Sequence, residues 1–161
     1  MTLSDDRNDL VELMALYATM ADTKAWELAS SIFTDPFTWD FESASPGVAE
    51  LSIATWCERV RMAFGGFDAT HHAITNHRIT VNGDHAHIRA HIHAEHWVPR
   101  DLVEPHMDDC WVVVGFYDDE AIRTSDEWRL ARVKLTIRHQ SGSHVARASL
   151  AEGRRIASVP T

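Results

Sequence analysis

Four side chains in this sequence could together move a proton: Asp22, His72, His96 and Tyr17. Histidine titrates near neutral pH, so it suits abstraction of a proton from carbon or a hydroxyl. A carboxylate on its other ring nitrogen holds the tautomer and stabilises the imidazolium that forms. A buried tyrosine hydroxyl can donate to negative charge developing on a substrate oxygen. Taken singly, Asp22 is an ordinary helix-end residue and each histidine an ordinary structural one. As a set they would meet only if a curved sheet wraps the first helix. His71 stands beside His72, so the base is open between the two.

The elements that would position them follow from periodicity. Ser4, with Asp5 and Asp6 behind it, is a fitting helix start. Leu10, Leu13, Met14, Tyr17 and Ala21 recur at helical spacing, with Asp22 directly after. Trp26, Ala29, Ile32 and Phe33 predict a second short helix, ended at Asp35-Pro36. Phe37, Trp39 and Phe41 alternate as a strand, and Ser43 to Glu50 reads as a loop. Ser52 caps a third helix carrying Ile53, Trp56, Cys57, Val60 and Phe64.

The rest reads as sheet. A strand over 71–81 reaches Asn82-Gly83, a two-residue hairpin signal, and 85–97 returns. Residues 109–117 form a third long strand, 118–126 a polar connection and 127–139 a fourth strand. A short helix is expected around Val145 to Glu152. Alternation puts Ala86, Ile88, Ala90, Ile92, Ala94 and His96 on one face of 85–97. His85, His87, His91 and His93 take the other. In the last strand, Ala131, Val133, Leu135 and Ile137 are expected inward, with Arg129 on their parity. Trp39, Phe41, Trp56, Ile88, Ile92 and Val113 are the expected apolar lining of a substrate pocket. That lining suits a small hydrophobic ring. Helices followed by a strand meander predict an α+β fold, with a curved antiparallel sheet around the N-terminal helices.

Composition sets the limits. A chain of 161 residues fits one domain over 1–161. The net charge of −9 argues against nucleic-acid binding and against an anionic membrane surface. No apolar run approaches the ~20 residues that span a bilayer. The opening residues lack a signal-peptide pattern, so a cytoplasmic protein is expected. Cys57 and Cys110 match no zinc module and read as small buried hydrophobes. His91-x-His93 could offer two metal ligands, but a polar outer face is the simpler reading, and no metal is expected. There is no dinucleotide fingerprint, phosphate loop or H-E-x-x-H, and no cofactor is expected.

Four stretches carry a family resemblance: L-Y-A-T-M-A-D-T-K-A-W-E-L-A-S-S-I-F-T-D (16–35), T-H-H-A-I-T-N (70–76), N-G-D-H-A-H-I-R-A (82–90) and E-W-R-L-A-R-V (127–133). Together they resemble the SnoaL-like branch of the nuclear-transport-factor-2-like superfamily. Within it the chain is similar to scytalone dehydratase, hexachlorocyclohexane dehydrochlorinase and bile-acid dehydratase. The resemblance implies a cone with a deep pocket, an Asp22–His72 dyad, a second histidine at His96 and an active-site tyrosine at Tyr17. Arg123 and Arg129 are candidates for the arginine of the dehydrochlorinase. It also implies a homo-oligomer, dimer or trimer, formed by the outer sheet face. The expected activity is cofactor-free acid–base chemistry on a small hydrophobic molecule: a lyase of the dehydratase type, or an isomerase or cyclase. The alternative is a non-catalytic binding module or a structural subunit such as the β chain of ring-hydroxylating dioxygenases.

Overall fold

The first helix, α1 (Leu3–Thr23), buries Asp6, Leu10, Leu13, Met14, Tyr17, Met20 and Ala21 along one stripe. The computed structural model describes residues 3–41, 48–125 and 127–143. Ser4, expected as the cap, lies inside the first turn. Near that end the Asp6 carboxylate accepts from Arg123 Nη2 at 2.6 Å and from Trp128 Nε1 at 3.4 Å. The Arg123 guanidinium also lies 4.3 Å above the Trp128 ring. These contacts tie the start of α1 to the last two strands.

The end of α1 is set by Lys24, which takes the left-handed conformation at φ 56°. The Ala25 amide donates to the Met20 carbonyl at 3.1 Å and the Lys24 amide to Ala21 at 3.4 Å. Those two bonds close the helix as a Schellman turn. Lys24 Nζ then donates to the Phe67 carbonyl at 2.7 Å, fastening the helix end to the segment that enters the sheet.

The expected second helix is shorter than its pattern suggests. A 3-10 turn (Trp26–Leu28) leads into the single-turn α2 (Ala29–Ile32), and Phe33 already begins β1 (Phe33–Asp40). The Asp35-Pro36 bond is cis. Part of the expected loop is a strand, β2 (Val48–Leu51), paired antiparallel with β1. Ser52 caps α3 (Ile53–Phe64), its hydroxyl accepting from the Thr55 amide at 3.2 Å. Asp35 Oδ1 accepts from the Ile53 amide at 3.1 Å, so β1 helps to cap α3.

Four long strands follow: β3 (Ala69–Asn82), β4 (His85–Trp97), β5 (Cys110–Arg123) and β6 (Trp128–Gly142). The sheet order is β2-β1-β6-β5-β4-β3. The meander is antiparallel as expected. The β1–β6 joint is parallel, so the six-stranded open sheet is mixed. The architecture is α+β. The expected helix around 145–152 lies outside the described residues.

Three local departures from simple alternation matter. The hairpin pairs Asn82 with His85, so its two turn residues are Gly83 and Asp84, not Asn82 and Gly83. Only Gly83 has positive φ, at 61°, which suits glycine in the first central position. β5 runs on to Arg123, where a polar connection was expected. Its Asp118 is engaged by Arg89 at 2.8 Å and its Asp119 by the Lys134 amide at 2.9 Å, so polar residues there serve the sheet. In β6 the register jumps from Glu120↔Arg132 to Ala121↔Leu130. One extra residue, Ala131, bulges out, so Trp128 and Leu130 point inward instead of Arg129 and Ala131.

The interior face is laid out in rungs across β3, β4 and β5. They run Thr70–His96–Trp111, His72–Ala94–Val113 and Ile74–Ile92–Gly115, then Ala90–Tyr117, Ile79–Ile88–Asp119 and Val81–Ala86–Ala121. Gly115 is required where it stands: a Cβ there would lie 2.2 Å from the Thr136 carbonyl oxygen. The register shift between Val114 and Gly115 brings β6 this close. Gly115→Ala is expected to lower stability by about 1–3 kcal/mol through overpacking. Urea unfolding checks this; an unchanged midpoint would mean that β6 gives way freely.

Candidate active site

The site is built from the end of α1 and the start of β3. The Schellman turn stops α1 just after Asp22, leaving its carboxylate beside β3. That carboxylate receives three donors from two residues. His72 Nδ1 lies 2.6 Å from Oδ1, the His72 amide donates to Oδ2 at 2.9 Å, and the Thr70 hydroxyl donates to Oδ1 at 3.1 Å. Thr70 and His72 can both reach because they share a parity on β3.

Strand geometry also separates the two adjacent histidines. The His72 side chain is 10% exposed and inward, whereas that of His71 is 66% exposed. His71 approaches Asp22 only to 3.9 Å. Further along, one extra residue in β3 resets the register, with Asn76 in the left-handed region at φ 56°. Asparagine tolerates that conformation better than most side chains.

Burial pushes the Asp22 carboxyl upward. The His72 ring and amide, the attraction of the ring and the Thr70 hydroxyl together outweigh it, leaving the pKa below its ordinary value. The carboxylate stays ionised and accepts from Nδ1–H. The tautomer is thereby set, and the lone pair sits on His72 Nε2.

His96 lies at the end of the inner row of β4, as its parity implies. Its ring centroid is 5.3 Å from that of His72 and at 85° to it, with Phe67 at 5.1 Å and Trp111 at 4.7 Å. Burial, reinforced by His72, lowers its pKa to about 4. Nδ1 is 3.2 Å from the Trp111 carbonyl, which can only accept, so Nδ1 carries the hydrogen. At neutral pH His96 therefore presents an Nε2 lone pair. In that state it offers an acceptor to the interior.

Tyr17 is buried but turned away from Asp22. Five residues along a helix amount to about 140° of rotation about the axis. Its ring meets Phe33 and Tyr117, each with centroids at 5.7 Å. Tyr117 in turn senses the charge of Asp22. Thr70, Lys24, Tyr117 and Asp119 were not singled out in the sequence. The parity of Thr70 with His72 was the available signal. Tyr117 and Asp119 needed the true length of β5.

The expected lining residues lie in the same core. Val113 is on the His72 rung and Ile92 on the next, with Ile88 two rungs further. Trp39 and Phe41 stack at 3.8 Å, and Trp39 meets Trp56 at 5.6 Å, together forming an aromatic wall from β1 and α3. Trp56 Nε1 is buried without a hydrogen-bond partner among the described residues. The two candidate arginines are held elsewhere: Arg123 by Asp6, Arg129 by Glu127 and the Ser30 carbonyl. On the outer face His91 packs on Phe116 at 4.9 Å and His93 lies 3.3 Å from Glu95. Among the described residues no group of three or more His, Cys, Asp or Glu could hold a metal. Both cysteines are free, Cys57 buried and Cys110 half-buried. Among the described residues no helix is long and apolar enough to cross a membrane.

Residues 2–134 match the model of the SnoaL-like domain. The chain belongs to the SnoaL-like family. Among solved structures, this SnoaL-like chain is similar to the Kfla4162 protein of Kribbella flavida. Identity is 44% and the TM-score 0.86, covering 91% of this chain and 99% of that one. It is similar in fold to a candidate scytalone dehydratase of Novosphingobium aromaticivorans, at 18% identity and TM-score 0.72, covering 86% and 87%. A hexachlorocyclohexane dehydrochlorinase, LinA-type3 of Novosphingobium barchaimii, gives 16% and 0.68, covering 86% and 90%. No curated protein matches the SnoaL-like chain in sequence.

Proposed function

We propose that this SnoaL-like protein is a cofactor-free acid–base enzyme that catalyses an elimination on a small hydrophobic molecule, with His72 as the base. The observation that carries the reading is the 2.6 Å contact between His72 Nδ1 and Asp22 Oδ1, on a ring held inward by β3. Asp22 orients the ring, and Thr70 and Lys24 hold Asp22 and its helix end. His72 Nε2 removes a proton from carbon. The C–H electron pair becomes the new C=C bond, and the leaving group departs with its own bonding pair. The imidazolium then returns the proton to a departing hydroxide, giving water, or to solvent when the leaving group is a halide.

Elimination is favoured over isomerisation or cyclisation by the names of two structural neighbours, a candidate dehydratase and a dehydrochlorinase. Substrate binding is assigned to the aromatic wall of Trp39, Phe41 and Trp56 and to Ile92 and Val113 of the sheet, with Ile88 at its far end. A homo-oligomer through the outer sheet face accompanies this reading.

The test is a panel of cyclic β-hydroxy ketones and halogenated cyclohexanes, followed by absorbance of the conjugated product and by halide release. Turnover of one class, dependent on His72, is the expected result. A panel left wholly unchanged by the wild-type protein would remove the elimination reading.

A further inference from the structure

Asp22 is approached by histidines from two sides. Neighbouring residues of a strand point to opposite faces, so His71 and His72 can both approach one carboxylate only where it lies beside the edge of the strand. β3 is the last strand of the sheet, and its outer edge has no further strand to pair with. The His72 amide points out of that edge and donates to Asp22 Oδ2 at 2.9 Å. From the inner side His72 Nδ1 lies 2.6 Å from Oδ1; from the outer side His71 Nδ1 comes within 3.9 Å of Oδ2. The Asp22 side chain is 22% exposed and that of His71 largely so, which leaves this outer approach open to water.

The charged groups around His71 are mostly acidic. Across the sheet it is paired with Glu95 of β4, whose Oε1 lies 3.3 Å from His93 Nε2. The same rung ends on β5 at Val112, which carries no charge. Asp68 is exposed just ahead of β3, and Lys24 at the end of α1 is turned to the Phe67 carbonyl. A proton on His71 is therefore favoured by two carboxylates, Asp22 and Glu95, and opposed by His93 when that ring is charged. Directly opposite side chains of neighbouring strands are close enough for such charges to act on one another.

We infer that His71 is a solvent-side positioning residue that sets the strength of the Asp22–His72 dyad. Neutral His71 leaves the carboxylate to His72. Charged His71 takes a share of it and weakens His72 as a base. Histidine suits this place because it is the side chain whose charge changes in mild acid. The cause is competition for one anion. Proton abstraction makes an imidazolium of His72, which Asp22 stabilises. A cation at the other oxygen offsets part of that negative charge and repels the positive charge growing on His72. Two unit charges about 4 Å apart in water alter an equilibrium by roughly fivefold, and a transition state carries part of the full charge, so charging His71 is expected to slow the step by roughly two- to fivefold. His71 touches no substrate in this scheme.

The inference rests on the proposed role of His72 as base, so one of its two tests needs no substrate. In protein carrying nitrogen-labelled histidine, ring spectra assigned through single variants follow His72 against pH. The wild-type His72 signals are expected to respond in two steps, the smaller coinciding with the titration of His71, because groups sharing a carboxylate titrate as a coupled set. His71→Gln should leave a single step, and high salt should shrink the smaller one, since exposed charges are screened. In turnover, His71→Gln should remove the matching step from the acid limb of the kcat/KM profile. His71→Lys, which holds a cation there at every working pH, should lower kcat/KM at neutral pH by roughly two- to fivefold. A single step for wild-type His72, the same His72 curve with and without His71, or wild-type turnover in His71→Lys would each overturn the inference. Two-step His72 spectra beside full turnover in His72→Ala would uphold the control of His72 by His71 and defeat the reading of His72 as base instead.

Discussion

Turnover in the His72→Ala protein is expected to fall by about 10²–10⁴-fold, the usual contribution of a positioned general base. The fold should persist, because the His72 side chain sits at the rim of the core and Asp22 would still accept from the residue-72 amide and from Thr70. Asp22→Asn should cost nearly as much, up to about 10⁴-fold where one carboxylate sets the tautomer. The reason lies in the donor count. Asp22 Oδ1 faces His72 Nδ1 and Thr70, and Oδ2 faces the His72 amide. An asparagine has one acceptor for these two sides. With its oxygen toward Nδ1, its NH₂ opposes the His72 amide. Turned round, its NH₂ donates to Nδ1 and forces the hydrogen onto Nε2, where the base is needed. Thr70→Val removes the hydroxyl that donates to Asp22 and should cost up to about tenfold, in line with about 0.5–1.5 kcal/mol per bond. Single-turnover kinetics on the substrate found by the panel reads all three, with thermal melts confirming the fold. A His72→Ala protein with wild-type turnover would end the role of His72 as base.

Mild acid should remove a stabilising contribution of His96, read as the difference between the wild-type protein and His96→Gln. An unfolded histidine takes a proton near pH 6.5, whereas folded His96 resists protonation until about pH 4. Between those values the unfolded His96 binds a proton that the folded one does not, so its contribution to stability falls as pH falls, against an opposite contribution from Asp119, whose raised pKa keeps its proton in the folded chain. The contribution is complete above about pH 6.5, is lost progressively down to the folded value and changes no further below it. The gap corresponds to about 3 kcal/mol, a large share of the stability of one domain. Urea unfolding of the wild-type and His96→Gln proteins, at neutral pH and again near the folded pKa, isolates the drop. His96→Gln should remove most of it, because glutamine does not titrate. The same pH dependence in both proteins would show that His96 is not the group responsible. Asp22 acts lower on the scale: its depressed pKa adds stability that is lost only as pH falls through that depressed value.

Much of this protein could be read from its residues because much of it depends on local periodicity. The stripe of Leu10, Leu13, Met14 and Tyr17 marks α1, and Ser52 marks the start of α3. The alternation in 85–97 places His96 inward and His87, His91 and His93 outward, since side-chain direction in a strand follows from the backbone alone. The family followed from the same stretches. Where alternation is interrupted, the reading fails. The extra residue at Ala131 turns Leu130 inward, and nothing in R-L-A-R-V announces it. The parallel joint of β1 to β6 depends on two segments about ninety residues apart in the chain, a pairing no local pattern encodes.

The candidate site divides along the same line. Residue type and spacing nominated Asp22, His72, His96 and Tyr17. Tertiary structure chose His72 over His71, because only the former points into the core beside the end of α1. It made His96 an acceptor, because burial and the Trp111 carbonyl together determine which nitrogen keeps its hydrogen. It brought Tyr17 to Tyr117 and Asp119 instead of to Asp22, because helix rotation and strand register, not order along the chain, decide which side chains meet. The amino-acid sequence by itself determined which groups can carry a proton; their partners, protonation and direction belong to the packing of α1 against the curved sheet.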